Sequence, residues 1–185
     1  MSDSRDPSRL IQTYSGKQYW PTDPRPEDVE IADIAHSLSM LCRYTGHTRF
    51  FYSVAEHSVL VSLMVPPELA LEALLHDATE AYCADLSRPL KRDLPEYATI
   101  EARNAVAIRT RFRLPLTEHP LIKVADSNIL HTEMRQLLPP LPDWVTVPGV
   151  HDPSVRLFLW CPAAAEVAFL NRYQALVRES GIRNS

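Results

Sequence analysis

Apolar residues recur at helical spacing along most of this chain, in segments that prolines separate. The first run, at positions 31, 34, 35, 38, 41 and 42, predicts a helix from Asp28 to about Arg43, because apolar residues at this spacing fall on one helical face. A second helix is predicted to begin at Ser53, where Ser53 and Glu56 match a capping box and VAEHSVLVSLMV follows. The pattern therefore begins with two neighbouring helices.

Four more helices are predicted in the rest of the chain. The third follows Pro66 and Pro67 and runs through ELALEALLHDATEAY, since proline is tolerated in the first turn of a helix. The other three lie at about 95–112, 119–138 and 162–179. Four glycines against 16 prolines also favour helices ended by proline over strands joined by glycine turns. The fold class predicted is all-α, a compact bundle of about six helices.

Two segments fall outside this helical pattern. Residues 1–27, which contain WPTDPRP, are predicted to form an irregular N-terminal arm. Residues 139–153, PPLPDWVTVPGVHDP, are too rich in proline for regular helix and are predicted to form a long loop or a short hairpin. The pair His151–Asp152 in that loop has no helical context, and we interpret it as unrelated to any site.

Length and composition limit the classes of protein to consider. A chain of 185 residues that is 45% hydrophobic fits a single domain, residues 1–185, since one core commonly takes about 100 to 200 residues. A net charge of −4 disfavours a nucleic acid polymer as partner, because such binding needs a basic face, whereas a small substrate needs only local cations. Without a run of about 18 apolar residues or an apolar N-terminal stretch, we expect a soluble, cytoplasmic protein with no membrane partner.

The segment LLHDATEAYCADLSRPLK, residues 74–91, places a histidine and an aspartate in an otherwise apolar run. Taken alone, His76 is more readily explained as a core histidine bonded to a backbone carbonyl. The adjoining Asp77 changes this interpretation, because a carboxylate buried beside an imidazole is costly unless a cation or dense hydrogen bonding compensates. We therefore expect a charged group to bind there.

Two residues from other predicted helices could complete a metal site. His57 stands among apolar residues of the second helix, and Asp126 interrupts the apolar pattern of the fifth. The three cysteines are far apart and lack C-x-x-C spacing, so a metal here must be held by nitrogen and oxygen. Two imidazoles and two carboxylates suit a divalent metal cofactor, and this ligand type does not choose among Co²⁺, Mn²⁺, Fe²⁺, Zn²⁺ and Mg²⁺.

Two further acids follow the His-Asp pair. Glu80 comes four positions after His76 and three after Asp77, hence on their side of the predicted helix. It is a candidate catalytic residue that orients water or shuttles a proton beside the metal, and the alternative is a solvated glutamate near a helix end. Asp85, in the loop that follows, is a second candidate that either caps this loop or hydrogen-bonds a ligand.

Cations and an aromatic residue flank these segments. A polyphosphate would need neutralising charge in a site rich in carboxylates, and the candidates are Arg43, Arg49, Arg88 and Lys91. A surface role explains Arg49 and Arg88 equally well. Tyr44 could stack on a base through its ring face or belong to the core, and Gly46 offers a point of close approach for a ligand.

The motifs VAEHS, LLHDATEAY, DLSRPLK and VAD, in this order, resemble those of the HD-domain phosphohydrolases. The likeness is to the small branch that contains bacterial 5′-deoxynucleotidases and phage dATP triphosphohydrolases, and it covers roughly residues 28–138. It implies an HD-domain helical bundle, a homo-oligomer formed through helical faces, and Glu80 as the catalytic glutamate. The metal ligands that it implies are His57, His76, Asp77 and Asp126.

The same resemblance implies how the substrate is held. Arg43 and Tyr44 occupy the place of an arginine-aromatic pair that contacts phosphate and nucleoside, although the family often has tryptophan where Tyr44 stands. Pro89 and Lys91 match a loop whose proline crowds the 2′ position of the sugar and whose lysine meets phosphate.

The reaction indicated is hydrolysis of the ester between the 5′ oxygen and the α-phosphorus of a small deoxynucleotide substrate. The compact chain and its basic RPLKR segment favour a dATP-type triphosphohydrolase, which gives deoxynucleoside and triphosphate. The first alternative is a 5′-deoxynucleotidase acting on deoxynucleoside monophosphates. A non-catalytic nucleotide-binding scaffold and a cyclic-nucleotide or (p)ppGpp hydrolase are the less favoured interpretations.

Overall fold

A computed structural model of the chain describes residues 5–140, 149–150 and 152–179, and within them the predicted all-α class is confirmed. This part of the chain forms α1 (Ile31–Met40), α2 (Val54–Leu63), α3 (Ala70–Leu74), α4 (Glu80–Cys83), α5 (Arg88–Asp93), α6 (Pro95–Arg111), α7 (Pro120–Leu137) and α8 (Pro162–Glu179). A short hairpin pairs β1 (Ile11–Gln12) with β2 (Gln18–Tyr19) in antiparallel register. Short 3-10 helices lie at Pro7–Arg9, Pro26–Asp28 and Pro67–Leu69, and Arg43–Gly46 forms a tight turn with non-helical backbone angles.

Helix α2 lies at the centre of the bundle. All of its residues from Val54 to Ser62 are buried, as expected for a helix with apolar and small polar residues on every side. Helices α1, α3, α7 and α8 pack against it. The predicted start is confirmed, because the Ser53 hydroxyl accepts the amide of Glu56 at 3.1 Å as an N-cap. The carboxylate of Glu56 is bonded elsewhere, to a distant part of the chain.

The fully buried Glu56 side chain holds the segment that leads into α8. One carboxylate oxygen accepts the amides of Phe158 at 2.6 Å and Leu159 at 3.0 Å, and the other accepts the amide of Trp160 at 2.8 Å. Leu159 has a left-handed backbone with φ of 55°, and the amides on either side of it reach the same carboxylate. The central helix is thereby joined to the C-terminal third, for which the sequence offered no motif.

The prediction of one continuous third helix is wrong. Helix α3 stops before His76, and α4 begins only at Glu80. The His76 ring donates from Nδ1 to the Ala73 carbonyl at 2.7 Å, which is the acceptor that the amide of Asp77 would use in an α-helix. Residues 75–79 instead form tighter turns, such as the bond from the Glu80 amide to the Asp77 carbonyl at 3.0 Å. The His-Asp pair therefore lies in a turn between two short helices.

The N-terminal arm is more ordered than the sequence suggested. Residues 5–27 contain the hairpin, and Tyr19 at its end is fully buried. Its hydroxyl donates to the side-chain oxygen of Asn104 at 2.6 Å, and its ring stacks on Tyr82 at a centroid distance of 3.8 Å. The described part of the arm thus packs against α6 and α4.

The remaining helical predictions agree with the structure, with one addition. Helices α1, α6, α7 and α8 lie close to their predicted bounds. Pro89 and Lys91, expected in a loop, lie in the short helix α5, whose first turn tolerates the proline. The predicted loop or hairpin at 139–153 falls mostly on residues outside the described ranges, as does His151. No described helix combines the length and apolar content that a membrane crossing requires.

The three bonds to Glu56 predict a measurable contribution to stability. Replacing Glu56 with Gln would turn an amide group toward one of the three backbone N–H donors, so one buried donor would lose its acceptor. We expect the free energy of unfolding to fall by about 1–3 kcal/mol in urea denaturation. The exposed Glu68 provides the control, because Glu68→Gln should leave the unfolding midpoint unchanged. Equal midpoints for Glu56→Gln and the unaltered protein would contradict this account.

Candidate metal centre and adjoining cleft

The centre of the candidate site is His57, which α2 carries in a fully buried position. An isolated antiparallel bridge between Cys42 and Ser53 ties the preceding segment to the start of α2. The Nε2 atom of His57 lies 3.3 Å from His76 Nε2 and 3.5 Å from the nearer oxygen of Asp77. The central helix and the turn between α3 and α4 therefore meet at one imidazole nitrogen.

The turn between α3 and α4 allows the adjacent residues His76 and Asp77 to face the same point. Their nearest atoms, His76 Nε2 and Asp77 Oδ2, are 3.2 Å apart. In a regular helix, consecutive side chains would diverge by about 100°. The break that overturned the prediction of a continuous helix is thus the feature that brings this pair to His57.

Helix α7 supplies the next acid. Asp126 Oδ1 lies 3.4 Å from His57 Nε2, and one ligand atom from each of His57, His76 and Asp126 lies within 4.8 Å of the others. Metal bonds of about 2.0–2.2 Å place neighbouring ligand atoms about 3.0–3.5 Å apart, and the separations of His57 from His76 and Asp126, 3.3 and 3.4 Å, fit a common ion. These three residues could hold a metal ion. Asp77 Oδ2, at 3.2 to 3.5 Å from both imidazoles, stands at the same spacing.

The mutual charges of His76, Asp77 and Asp126 determine which of these side chains carry a proton. Burial alone would lower the pKa of His76, but Asp77, Asp126 and the bond to the Ala73 carbonyl raise this pKa to about 9. Burial opposes ionisation of both aspartates, yet the neighbouring imidazoles hold their pKa values well below the usual range. Because metal ligands must be deprotonated, a divalent ion would take the place of the His76 proton.

A buried acid that sequence reasoning missed lies behind His57. Glu133 of α7 is fully buried, and its carboxylate is 2.6 Å from His57 Nδ1. Burial opposes its ionisation, but Arg43 and His57 lower its pKa to about 2. Glu133 follows Asp126 by seven residues, or two helical turns, so both acids lie on the same face of α7. This repeat of an acid on one helical face is the sequence signal from which Glu133 could have been predicted.

Arg43, the arginine predicted to bind phosphate, contacts both Asp77 of the candidate metal centre and Glu133 behind it. Arg43 Nη2 is 3.1 Å from Glu133 Oε2, and Arg43 Nη1 is 3.5 Å from Asp77 Oδ2. Its Nε atom is buried and has no hydrogen-bond partner among the described residues. Tyr44 donates its hydroxyl to the same Glu133 oxygen at 2.7 Å while lining the cleft beside the site. The arginine-aromatic pair thus lies next to the candidate metal centre.

Three successive residues in this segment have left-handed backbones. The φ angles are 55° at Tyr44, 54° at Thr45 and 77° at Gly46. This conformation explains the glycine but costs about 1–3 kcal/mol at each of the other two positions. Gly46 is exposed, and an added Cβ there would meet no atom within 4 Å. Its predicted contact with substrate stays a prediction.

The predicted catalytic acids lie along the same cleft. Glu80 is almost fully buried, and its Oε2 atom has no hydrogen-bond partner within the described ranges. Burial, together with the negative charges of Asp77 and Asp85, raises the pKa of Glu80 to about 9. Asp85 lines the cleft at a more exposed position, and burial raises the pKa of its carboxyl as well. Glu80 therefore holds a proton near neutral pH in the absence of a metal.

The cleft over these residues has a volume of about 460 Å³. Acids line it together with cations from several elements, and these cations are Arg43, Arg88, Lys91 and Lys123. Lys91 pairs with Glu101 at 2.8 Å, and Lys123, which sequence reasoning missed, pairs with Asp126 at 2.8 Å. The cleft thus combines a candidate metal centre with positive charge on its walls.

Two residues predicted from the sequence to bind substrate or phosphate, Pro89 and Arg49, do not line the cleft. Pro89 is exposed in α5 beside the cleft-lining Arg88 and does not itself line the cleft, so its predicted contact with the sugar stays a prediction. Arg49 is exposed and belongs to no part of the described cleft.

Comparison with known proteins shows relatives along nearly the whole chain. The chain is 43% identical over 171 residues to the uncharacterized protein YfdR of Escherichia coli. The matched residues make up 90% of this chain and 95% of YfdR. It is 34% identical over 188 residues to an uncharacterized protein of Rhodobacter capsulatus, with coverage of 89% and 93%. No family model matches the chain.

The spacing of the three ligand atoms predicts tight binding of one divalent ion. Replacing Asp126 with Ala removes one of them, and we expect the dissociation constant for Co²⁺ to rise by more than about 100-fold, since loss of an outer partner alone costs about 10- to 100-fold. Titration of metal-free protein with Co²⁺, followed by its visible absorption, measures this. Asp93→Ala, at the exposed end of α5, is the control and should bind as before. Unchanged affinity in Asp126→Ala would refute the site.

Proposed function

We propose that this chain, which belongs to the same family as the Escherichia coli protein YfdR, is a metal-dependent phosphohydrolase of the HD-domain type. The substrate proposed is a deoxyribonucleotide, and the bond cleaved is its 5′ phosphate ester. The observation that carries the proposal is the meeting of His57, His76, Asp77 and Asp126 at the edge of a cleft lined with cations.

The ligands proposed for the ion are those four residues, and the ligand set does not decide among Co²⁺, Mn²⁺, Fe²⁺, Zn²⁺ and Mg²⁺. When bound, such an ion supplies polarisation of a phosphate oxygen and a lower pKa for water. The protein must hold the phosphate close to this point. Arg43 lines the cleft with Nη1 3.5 Å from Asp77 Oδ2, and it is the residue proposed to donate to phosphate oxygens.

Glu80 is the proposed proton donor and acceptor. Its Oε2 atom is buried without a described partner in a cleft that also contains Asp77 and Asp85, and burial together with these two charges raises its pKa in the metal-free site. A protonated carboxyl in this place can give that proton to the 5′ oxygen as the ester breaks, which makes the nucleoside a better leaving group. Asp85 could take part in the same exchange from the outer wall.

A triphosphate is the preferred substrate in this proposal. Arg88, Lys91 and Lys123 add three cations to Arg43 along the cleft, and a chain of phosphates carries enough charge to use them. Release of deoxynucleoside and triphosphate from dATP is the leading case. Tyr44, whose ring borders the cleft, is the candidate to contact the base, and Pro89 the candidate to disfavour a ribose.

A 5′-deoxynucleotidase is the second candidate, and one observation favours it. Lys91 and Lys123 already form ion pairs of 2.8 Å with Glu101 and Asp126, so less free charge faces the cleft than its list of cations suggests. A monophosphate would need only Arg43 and the metal. The two candidates differ in their phosphate products and are separable in one assay.

The product assay tests the proposal directly. With Co²⁺ or Mn²⁺, we expect the protein to release tripolyphosphate from dATP, whereas orthophosphate from dAMP would identify the deoxynucleotidase. Chelation should abolish turnover, and Asp77→Ala should lower it to background, with Asp93→Ala as the matched control. Full activity in Asp77→Ala would contradict the metal assignment. Metal binding without turnover of either substrate would indicate a non-catalytic scaffold.

The role of Glu80 gives a separate prediction. Glu80→Gln keeps the shape of the side chain but cannot exchange the proton, so kcat should fall by about 10²- to 10⁴-fold. The dissociation constant for Co²⁺ should stay unchanged, since Glu80 is not among the proposed ligands. Glu96→Gln, on an exposed acid in the first turn of α6, is the control. A kcat within a few-fold of the unaltered protein would remove Glu80 from the reaction.

A further inference from the structure

We infer that Glu133 is a positioning residue that orients both the metal ligand His57 and the phosphate-binding Arg43. This inference rests on the proposed function for its catalytic consequence, but its effect on metal binding does not. No role for Glu133 follows from the sequence motifs, and Glu133 does not line the cleft. Its whole contribution would therefore pass through the residues that it contacts.

Each oxygen of the Glu133 carboxylate accepts two hydrogen bonds. Its Oε1 atom accepts from His57 Nδ1 at 2.6 Å and from the Tyr52 hydroxyl at 2.9 Å. Its Oε2 atom accepts from the Tyr44 hydroxyl at 2.7 Å and from Arg43 Nη2 at 3.1 Å. Four donors from two separate segments thus surround one fully buried acid. Such a group is held in a single orientation, because any rotation would leave a buried donor without an acceptor.

The bond to His57 decides which ring nitrogen can bind a metal. An ionised carboxylate only accepts hydrogen bonds, so His57 must present Nδ1–H to Glu133. Its Nε2 atom is then the ring nitrogen left to bind a metal, and this is the atom that lies within 3.5 Å of His76, Asp77 and Asp126. Acids in this position fix the ring and strengthen the imidazole as a ligand.

The bond to Arg43 acts on the other side of the site. Arg43 is the one residue whose guanidinium contacts both Glu133 and Asp77 in the described structure. Glu133 engages Nη2 and so directs Nη1 toward the metal centre. The Tyr44 bond to the same oxygen holds the left-handed segment that carries this arginine. One acid on α7 therefore sets the distance between the metal and the phosphate-binding group.

The test compares Glu133→Gln with a matched buried acid. Glu72→Gln is the control, because Glu72 is also buried and also bonded to an arginine, Arg109, at 2.9 Å, but it does not line the cleft and contacts none of the proposed metal ligands in the described structure. We expect Glu133→Gln to weaken Co²⁺ binding by about 10- to 100-fold in metal-free protein titrated with Co²⁺. The visible spectrum of bound Co²⁺ should shift as well. Glu72→Gln should leave both the affinity and the spectrum unchanged.

Two further measurements distinguish the positioning role of Glu133 from an effect on folding and from the proposed function. Glu133→Asp retains the charge but shortens the side chain, so it should also weaken Co²⁺ binding by about 10-fold, and it decides the matter if Glu133→Gln does not fold. At saturating Co²⁺, KM for dATP or dAMP should rise in both variants. Unaltered Co²⁺ affinity in a folded Glu133 variant would overturn the inference. Absence of turnover in the unaltered protein would overturn only the proposed function.

Discussion

The structure depends on how negative charge is buried around His57. Three carboxylates lie within 3.5 Å of its ring nitrogens, those of Asp77, Asp126 and Glu133. Arg43 faces this group with a single positive charge, and Lys123 reaches Asp126 from the surface, where its side chain is 63% exposed and screened by water. Protonation of His76 reduces the remaining excess of negative charge. A divalent ion beside a neutral His76 would remove it, because two charges on the ion and one on Arg43 match three carboxylates.

Helix α2 joins this charged centre to the rest of the bundle. Glu56 and His57 are consecutive in α2, so their side chains diverge by about 100°. Glu56 binds the backbone amides of 158–160, and His57 Nε2 faces the carboxylates of Asp77 and Asp126. Both side chains are fully buried. The helix that positions the central imidazole is therefore fixed from behind by the segment leading into α8, although that segment contributes no residue to the site.

Helical periodicity predicted most of the elements, and it predicted the site where a polar residue interrupts an apolar face. His57 and Asp126 were recognisable in this way, and His76 was recognisable from its apolar neighbours. The continuous third helix was wrong because the His76 ring takes the Ala73 carbonyl, a side-chain competition that propensity does not express. Glu133 was missed because its role comes from partners 76 to 90 residues away in sequence, in segments that only the fold brings together.

Backbone strain in two segments at the cleft explains why local sequence could not predict the shape of the cleft. Tyr44 and Thr45, which line the cleft, have left-handed backbones, and Ala84, with φ of 61° and ψ of 165°, directly precedes the cleft-lining Asp85. Residues other than glycine hold such angles only where surrounding contacts enforce them. The Tyr44 hydroxyl is fixed by Glu133, and the Ala84 carbonyl accepts a bond from Tyr97. The shape of the cleft is therefore set by long-range contacts, since the two strained segments are held by Glu133 and Tyr97, which do not line it.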